Sequence, residues 1–115
     1  MSEYTLEDHF SGRNPALRVL YCDLIDMLTS IGPVTVEPKK TCIHLTRRTA
    51  LGGIHFRKDH LLLEFKSAAP IDEPAIAKCE KISANRWHNT VRLDSPSVLT
   101  DQVRDWLREA WEISA

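Results

Sequence analysis

The chain has 115 residues, 43% of them apolar and 27% charged, the size and mixture of one globular domain that can bury a core without disulfide or metal staples. No apolar run approaches the ~18 residues needed to span a bilayer, and the opening MSEYTLEDHF lacks the apolar stretch of a signal peptide, so a cytoplasmic, non-membrane protein is expected. The net charge of −1 hides a segregation: residues 1–38 carry two basic against six acidic side chains, residues 39–92 eleven against five, and residues 93–115 two against five. A basic middle between acidic flanks bears on partners rather than on fold.

Thr5 with Asp8 resembles a capping box for a short turn of helix ending at Ser11-Gly12. A stronger helix follows, with Asn14 as cap, Pro15 at the first helical position and Gly32-Pro33 as its stop. Leu17, Leu20, Tyr21, Leu24, Met27, Leu28 and Ile31 recur at three- and four-residue spacing and form one core stripe, leaving Arg18, Asp23 and Asp26 outside it.

Val34 to Glu37 reads as a brief strand, halted at Pro38, which donates no ladder hydrogen bond. From Thr41 to Arg47 the apolar Ile43 and Leu45 alternate with Cys42, His44 and Thr46. Gly52-Gly53 marks a turn or bulge, after which Ile54 and Phe56 face inward and His55 and Arg57 outward. Lys58-Asp59 is a hairpin turn, and the next strand places Leu61, Leu63 and Phe65 inward against His60, Leu62, Glu64 and Lys66 outward.

Asp72-Glu73-Pro74 has the character of a helix start, and Ile76, Cys79 and Ile82 give the segment an apolar edge at helical spacing. Arg86 to Leu93 reads as a further strand with Trp87, Val91 and Leu93 inward, although Asn89 falls on that apolar side. Ser95-Pro96 opens a C-terminal helix whose stripe is Leu99, Val103, Trp106, Leu107 and Ala110, with Trp111 beside it. The three cysteines, odd in number and far apart, read as small buried hydrophobes of a reducing compartment.

This order predicts a single α+β domain over residues 1–115: two layers, a mostly antiparallel sheet of about four strands, and helices packed on one face. The other face would display His44, Thr46, His55, Arg57, His60, Glu64, Lys66, Arg86, His88, Thr90 and Arg92. The residues proposed to meet an anion are His44, Arg47, Arg48, His55, Arg57, Lys58, Arg86, His88 and Arg92, because Arg forks match phosphate or carboxylate and His supplies short donors on rigid strands. Candidate partners are a phosphate-bearing ligand, a nucleic-acid backbone or an acidic protein surface. The bland reading is a solvated polar face whose long stems cover strand surface.

Few aromatic residues are left for base stacking, and no helix carries a basic run for a groove. Among nucleic-acid modes this leaves backbone contact through the strand turns. Cys42, His44, His55 and His88 could converge on zinc, but neighbouring Arg and Lys oppose a cation and no HExxH or CxxC spacing occurs, so neither a metal nor another cofactor is expected. No nucleophile elbow, phosphate loop or paired carboxylates are present, and a cysteine nucleophile at Cys42 would need something to lower its pKa. A non-catalytic domain is expected. A homodimer or another interaction role is the alternative, because acidic helices and a basic sheet are complementary in sign.

The segments FSGRNPALRVLY, GPVTVEPKKTCIHLTRRTALGGIHFRK, SANRWHNTVRL and WLREAW resemble the bacterial DUF5655 family, a domain of unknown function. The resemblance implies a compact α+β domain found alone or joined to other small domains, with no assigned activity or catalytic residue. The Trp-containing strand followed by a C-terminal helix is also loosely similar to YjbR-like double-wing domains, for which DNA binding is suspected.

Overall fold

A computed structural model of the chain describes residues 15–39, 42–74 and 76–114. The capping box at Thr5, the cap at Asn14, and Lys40 and Thr41 lie outside the described residues. Helix α1 spans Ala16–Ile31, and Pro15 ahead of it already has helical φ and ψ of −57° and −25°. Its stripe is buried at Leu17, Leu20, Tyr21, Leu24 and Leu28, with Met27 and Ile31 partly covered. Among the described residues there are six strands, β1 Thr35–Pro38, β2 Ile43–Thr46, β3 Ala50–Phe56, β4 Leu61–Ser67, β5 Ile76–Ser83 and β6 Arg86–Leu93. A 3-10 turn at Pro96–Val98 leads to helix α2, Asp101–Glu112.

All strand pairs are antiparallel, in the order β1-β2-β3-β4-β6-β5. The first four strands form a meander. The chain then passes over one position, lays down β5 at the far edge, and returns as β6 against β4. The result is the predicted α+β class with six strands in place of about four.

Register explains which side is core. Ile43, Ile54, Leu63 and Val91 lie opposite one another across four strands, and all are fully buried. The same core takes in the stripes of both helices, with Phe65 stacked on Trp106 of α2 at a 5.8 Å centroid separation. Side chains of this size each contribute ~1.5–3 kcal/mol on burial. Asn89 shares this face and is completely buried, as its parity required. Its Nδ2 donates to Ser67 Oγ at 2.9 Å, which satisfies part of a polar group that would be costly left bare.

Three expectations are corrected. The segment from Ile76 to Ser83 is a strand: it pairs with β6 and is exposed over most of its length, so its helical spacing of apolar residues had no core to enforce it. Cys22 and Cys79 are exposed and Cys42 is half-buried, so the cysteines are not core hydrophobes. Helix α2 begins after Thr100, whose Oγ1 accepts from the Val103 N–H at 3.4 Å, which leaves Leu99 ahead of the helix.

Gly52-Gly53 does not break the strand. A bulge between Leu45 and Thr46 makes Leu45 oppose Gly52 and Thr46 oppose Ala50, so Leu51 is the extra residue and is buried with the core. A Cβ on Gly52 would overlap the carbonyl of Glu64 in β4, whereas one on Gly53 would sit 3.1 Å from the Ile43 carbonyl. Gly52→Ala is therefore expected to cost about 2–3 kcal/mol, as overpacking against backbone does, and Gly53→Ala less, measured by urea denaturation.

Burial, and secondarily the neighbouring Cys22, pushes the Tyr21 phenol from 10.0 up to about 12. The native state then keeps a proton that the unfolded chain releases, so this part of the stability is intact below pH 10.0 and is lost between 10.0 and about 12. Chemical denaturation across that window should show a steeper alkaline loss in the wild type than in Tyr21→Phe.

Candidate functional site

On the sheet face away from the helices, His44, Gly53, Glu64 and Thr90 lie in one cross-strand row. His55, Leu62 and Arg92 form the row to one side, and Lys66, His88 and Glu80 the row to the other. The bare backbone at Gly53 leaves a depression between its flanking side chains. A cleft of about 170 Å³ opens there, lined among others by Cys42, His44, His55, Glu64, Lys66 and His88. This is smaller than the ~300–1,000 Å³ of a drug-sized pocket and has room for one small group.

Among the described residues, Glu64 is the one carboxylate lining the cleft, and its Oε1 lies 3.4 Å from His55 Nε2. Lys66 Nζ donates to Thr49 Oγ1 at 3.2 Å. Partial burial, followed by the field of Arg86, lowers the Lys66 pKa from its usual 10.5. The two cations are therefore close enough to oppose each other, and each would gain from an anion placed between them.

The structure brings His44, His55 and His88 together in the cleft, with Arg86 outside its lining but near enough to act on Lys66. It disperses the other candidates. The Arg47 guanidinium lies 3.4 Å from the centroid of the Trp111 ring, and its Nη1 donates to the Trp111 carbonyl at 2.9 Å. Arg47 thus helps fix α2 to the β2–β3 turn. Arg48 is exposed in the same turn, where its N–H donates to the Ser114 carbonyl.

Arg57 and Lys58 belong to the β3–β4 turn, closed by a hydrogen bond from the Arg57 N–H to the His60 carbonyl at 2.9 Å. His60 sits in this turn rather than on the strand face. Its Nδ1 lies 2.9 Å from Asp59 Oδ1, and that contact is the main reason the Asp59 pKa is lowered. Arg92 lies near enough to Asp59 to contribute to the same effect.

The sequence did not single out Lys66 as a site residue, or Gly53 as the floor. The signal for Gly53 was the glycine pair inside a strand pattern, a mark of close backbone approach. Among the described residues, no three His, Cys, Asp or Glu side chains form a group able to hold a metal ion. No described helix is long and apolar enough to cross a membrane.

Among the described residues, two helices layered on a six-stranded antiparallel sheet, with a cleft on the face away from them, define a small two-layer α+β domain. Residues 6–114 match the family described as Domain of unknown function (DUF5655), and the chain belongs to that family. No curated protein and no solved structure matches it.

Removing Arg86 relieves Lys66 of a like charge but not of its burial. In Arg86→Ala the Lys66 ammonium should therefore titrate closer to 10.5 than in the wild type, as read by NMR of its side chain against pH.

Proposed function

We propose that the uncovered sheet face is a non-catalytic binding surface for an anionic partner, with a phosphate-bearing group seated in the cleft. The observation that carries this reading is the imbalance of the cleft. Among the described residues, three histidines and Lys66 line it against the single carboxylate of Glu64, which is already engaged by His55. Lys66 and Arg86 supply the charge, and His44 and His88 supply polar ring nitrogens from neighbouring strands.

The cleft's volume favours one phosphate or carboxylate group of a larger molecule over a whole nucleotide. Arg92, Arg57 and Lys58 extend positive charge along one end of the sheet, where a nucleic-acid backbone or acidic protein surface would continue beyond the cleft. Self-association without a small ligand is the second reading. It draws on a separate feature, the open edge of β5.

Fluorescence anisotropy with labelled single-stranded and duplex DNA, over a salt series and with pyrophosphate as competitor, tests the proposal. Binding should weaken linearly in log affinity against log salt, and Lys66→Ala should lower affinity and reduce the slope by about 0.7–0.9. Absence of binding at low salt to DNA and pyrophosphate alike would reject the phosphate reading. Binding indifferent to Lys66→Ala and Arg86→Ala would move it away from the cleft.

A further inference from the structure

Strand β5 is the outer strand on its side of the sheet, and among the described residues it pairs only with β6. Its eight residues, Ile76–Ser83, are exposed from Ala77 onward, and Ile82 keeps 53% of its surface in solvent. Such an edge presents unpaired N–H and C=O groups to any strand that can lie beside it. The opposite edge differs: β1 has four residues and ends at Pro38, which has no N–H to donate.

The sequence of β5, IAKCEKIS, is nearly self-complementary when laid antiparallel on a second copy. A two-fold axis through the sheet keeps each residue on its own face, so opposed residues must share a face, and the axis must pass through a residue. Within the regular part of the strand there are four choices. Centring on Lys78, Glu80 or Lys81 places identical charges directly opposite each other, which is destabilising.

Centring on Cys79 sets Lys78 opposite Glu80 of the second copy and Glu80 opposite Lys78. Lys78 and Glu80 already form a 3.3 Å ion pair along one strand, so both side chains lie on the face where the exchanged pairs would form.

We propose that two copies of the chain associate along β5 in this register, joining their sheets across a two-fold axis at Cys79. Irregularities between Ile76 and Lys78 and between Lys81 and Ser83 confine the regular edge to four residues. Bulges and edge lysines also guard sheets against open-ended pairing. Here they limit the contact to a short, closed one. The association is therefore reversible and depends on concentration, and it sets the two clefts on one continuous sheet face. It does not depend on the anion-binding reading, because Lys66 and Arg86 take no part in it.

Sedimentation velocity over a concentration series, with Lys78→Glu, the exchange Lys78→Glu/Glu80→Lys, and diamide oxidation of the wild type, tests the proposal. A monomer–dimer equilibrium is expected. Lys78→Glu acts twice across the axis and should weaken it by about tenfold, and the double exchange should restore it. Diamide should trap a covalent dimer that survives Cys22→Ser and disappears in Cys79→Ser. A monomer at every concentration, a dimer indifferent to Lys78→Glu, failure of the double exchange to restore it, or a cross-link that persists without Cys79 would overturn the proposal. Since all these side chains are exposed, far-ultraviolet circular dichroism should show each variant folded.

Discussion

The close passage of Gly52 against the Glu64 carbonyl constrains the rest of the sheet. At this point two neighbouring backbones leave no room for a side chain, and the bulge opposite Leu45 and Thr46 delivers Leu51 into the core. The pleat thereafter alternates without interruption from Gly53 to Phe56. A slip of one residue here would exchange Ile54 and Phe56 for His55 and reverse the chemistry of both faces. The next glycine then has a different part. Gly53 sits on the face away from the described helices, where its missing side chain is the hollow that the histidines surround.

Helix α2 and the β2–β3 turn are joined with similar economy. Gly32 has an extended φ of 172°, so its value is room rather than backbone freedom: a Cβ there would run into the Trp111 indole. That indole donates to the Pro33 carbonyl at 3.0 Å while Arg47 covers its ring. The Ser114 carbonyl accepts the N–H groups of Arg48 and Thr49 at 3.2 and 3.1 Å. An arginine that looked like surface charge in the sequence is thus spent on holding two layers together.

What could be read from the sequence was whatever a core enforces. Helix α1, β2, β4, β6 and the stripe of α2 each bury one face, so their periods were written in Leu, Ile, Val and Phe. Even Asn89 was placed on its correct side by parity, although only the structure supplies its Ser67 partner. Strand β5 escapes this reading because, among the described residues, little beyond Ile76 is covered on either of its faces. It is held by its ladder with β6, and a backbone ladder leaves no signature in side-chain hydropathy. The cleft was half legible for a related reason. Parity brought His44, His55, His88 and Lys66 to one face, but the engagement of Arg47 by Trp111 and the tie of Lys66 to Thr49 depend on contacts distant in sequence.

The tie between Ser114 and the turn at Arg48 and Thr49 carries a consequence for the order in which the molecule assembles. Thr49 Oγ1, which receives the Lys66 ammonium, itself donates to the Ser114 carbonyl at 3.3 Å across a separation of 65 residues. During synthesis from the N-terminus, the meander of β1 to β4 can collapse long before Ser114 leaves the ribosome. Contacts this remote in sequence bear a large loop-closure cost and tend to form late. The wall of the cleft that contains Lys66 therefore reaches its final arrangement only when the segment around Ser114 docks on the β2–β3 turn.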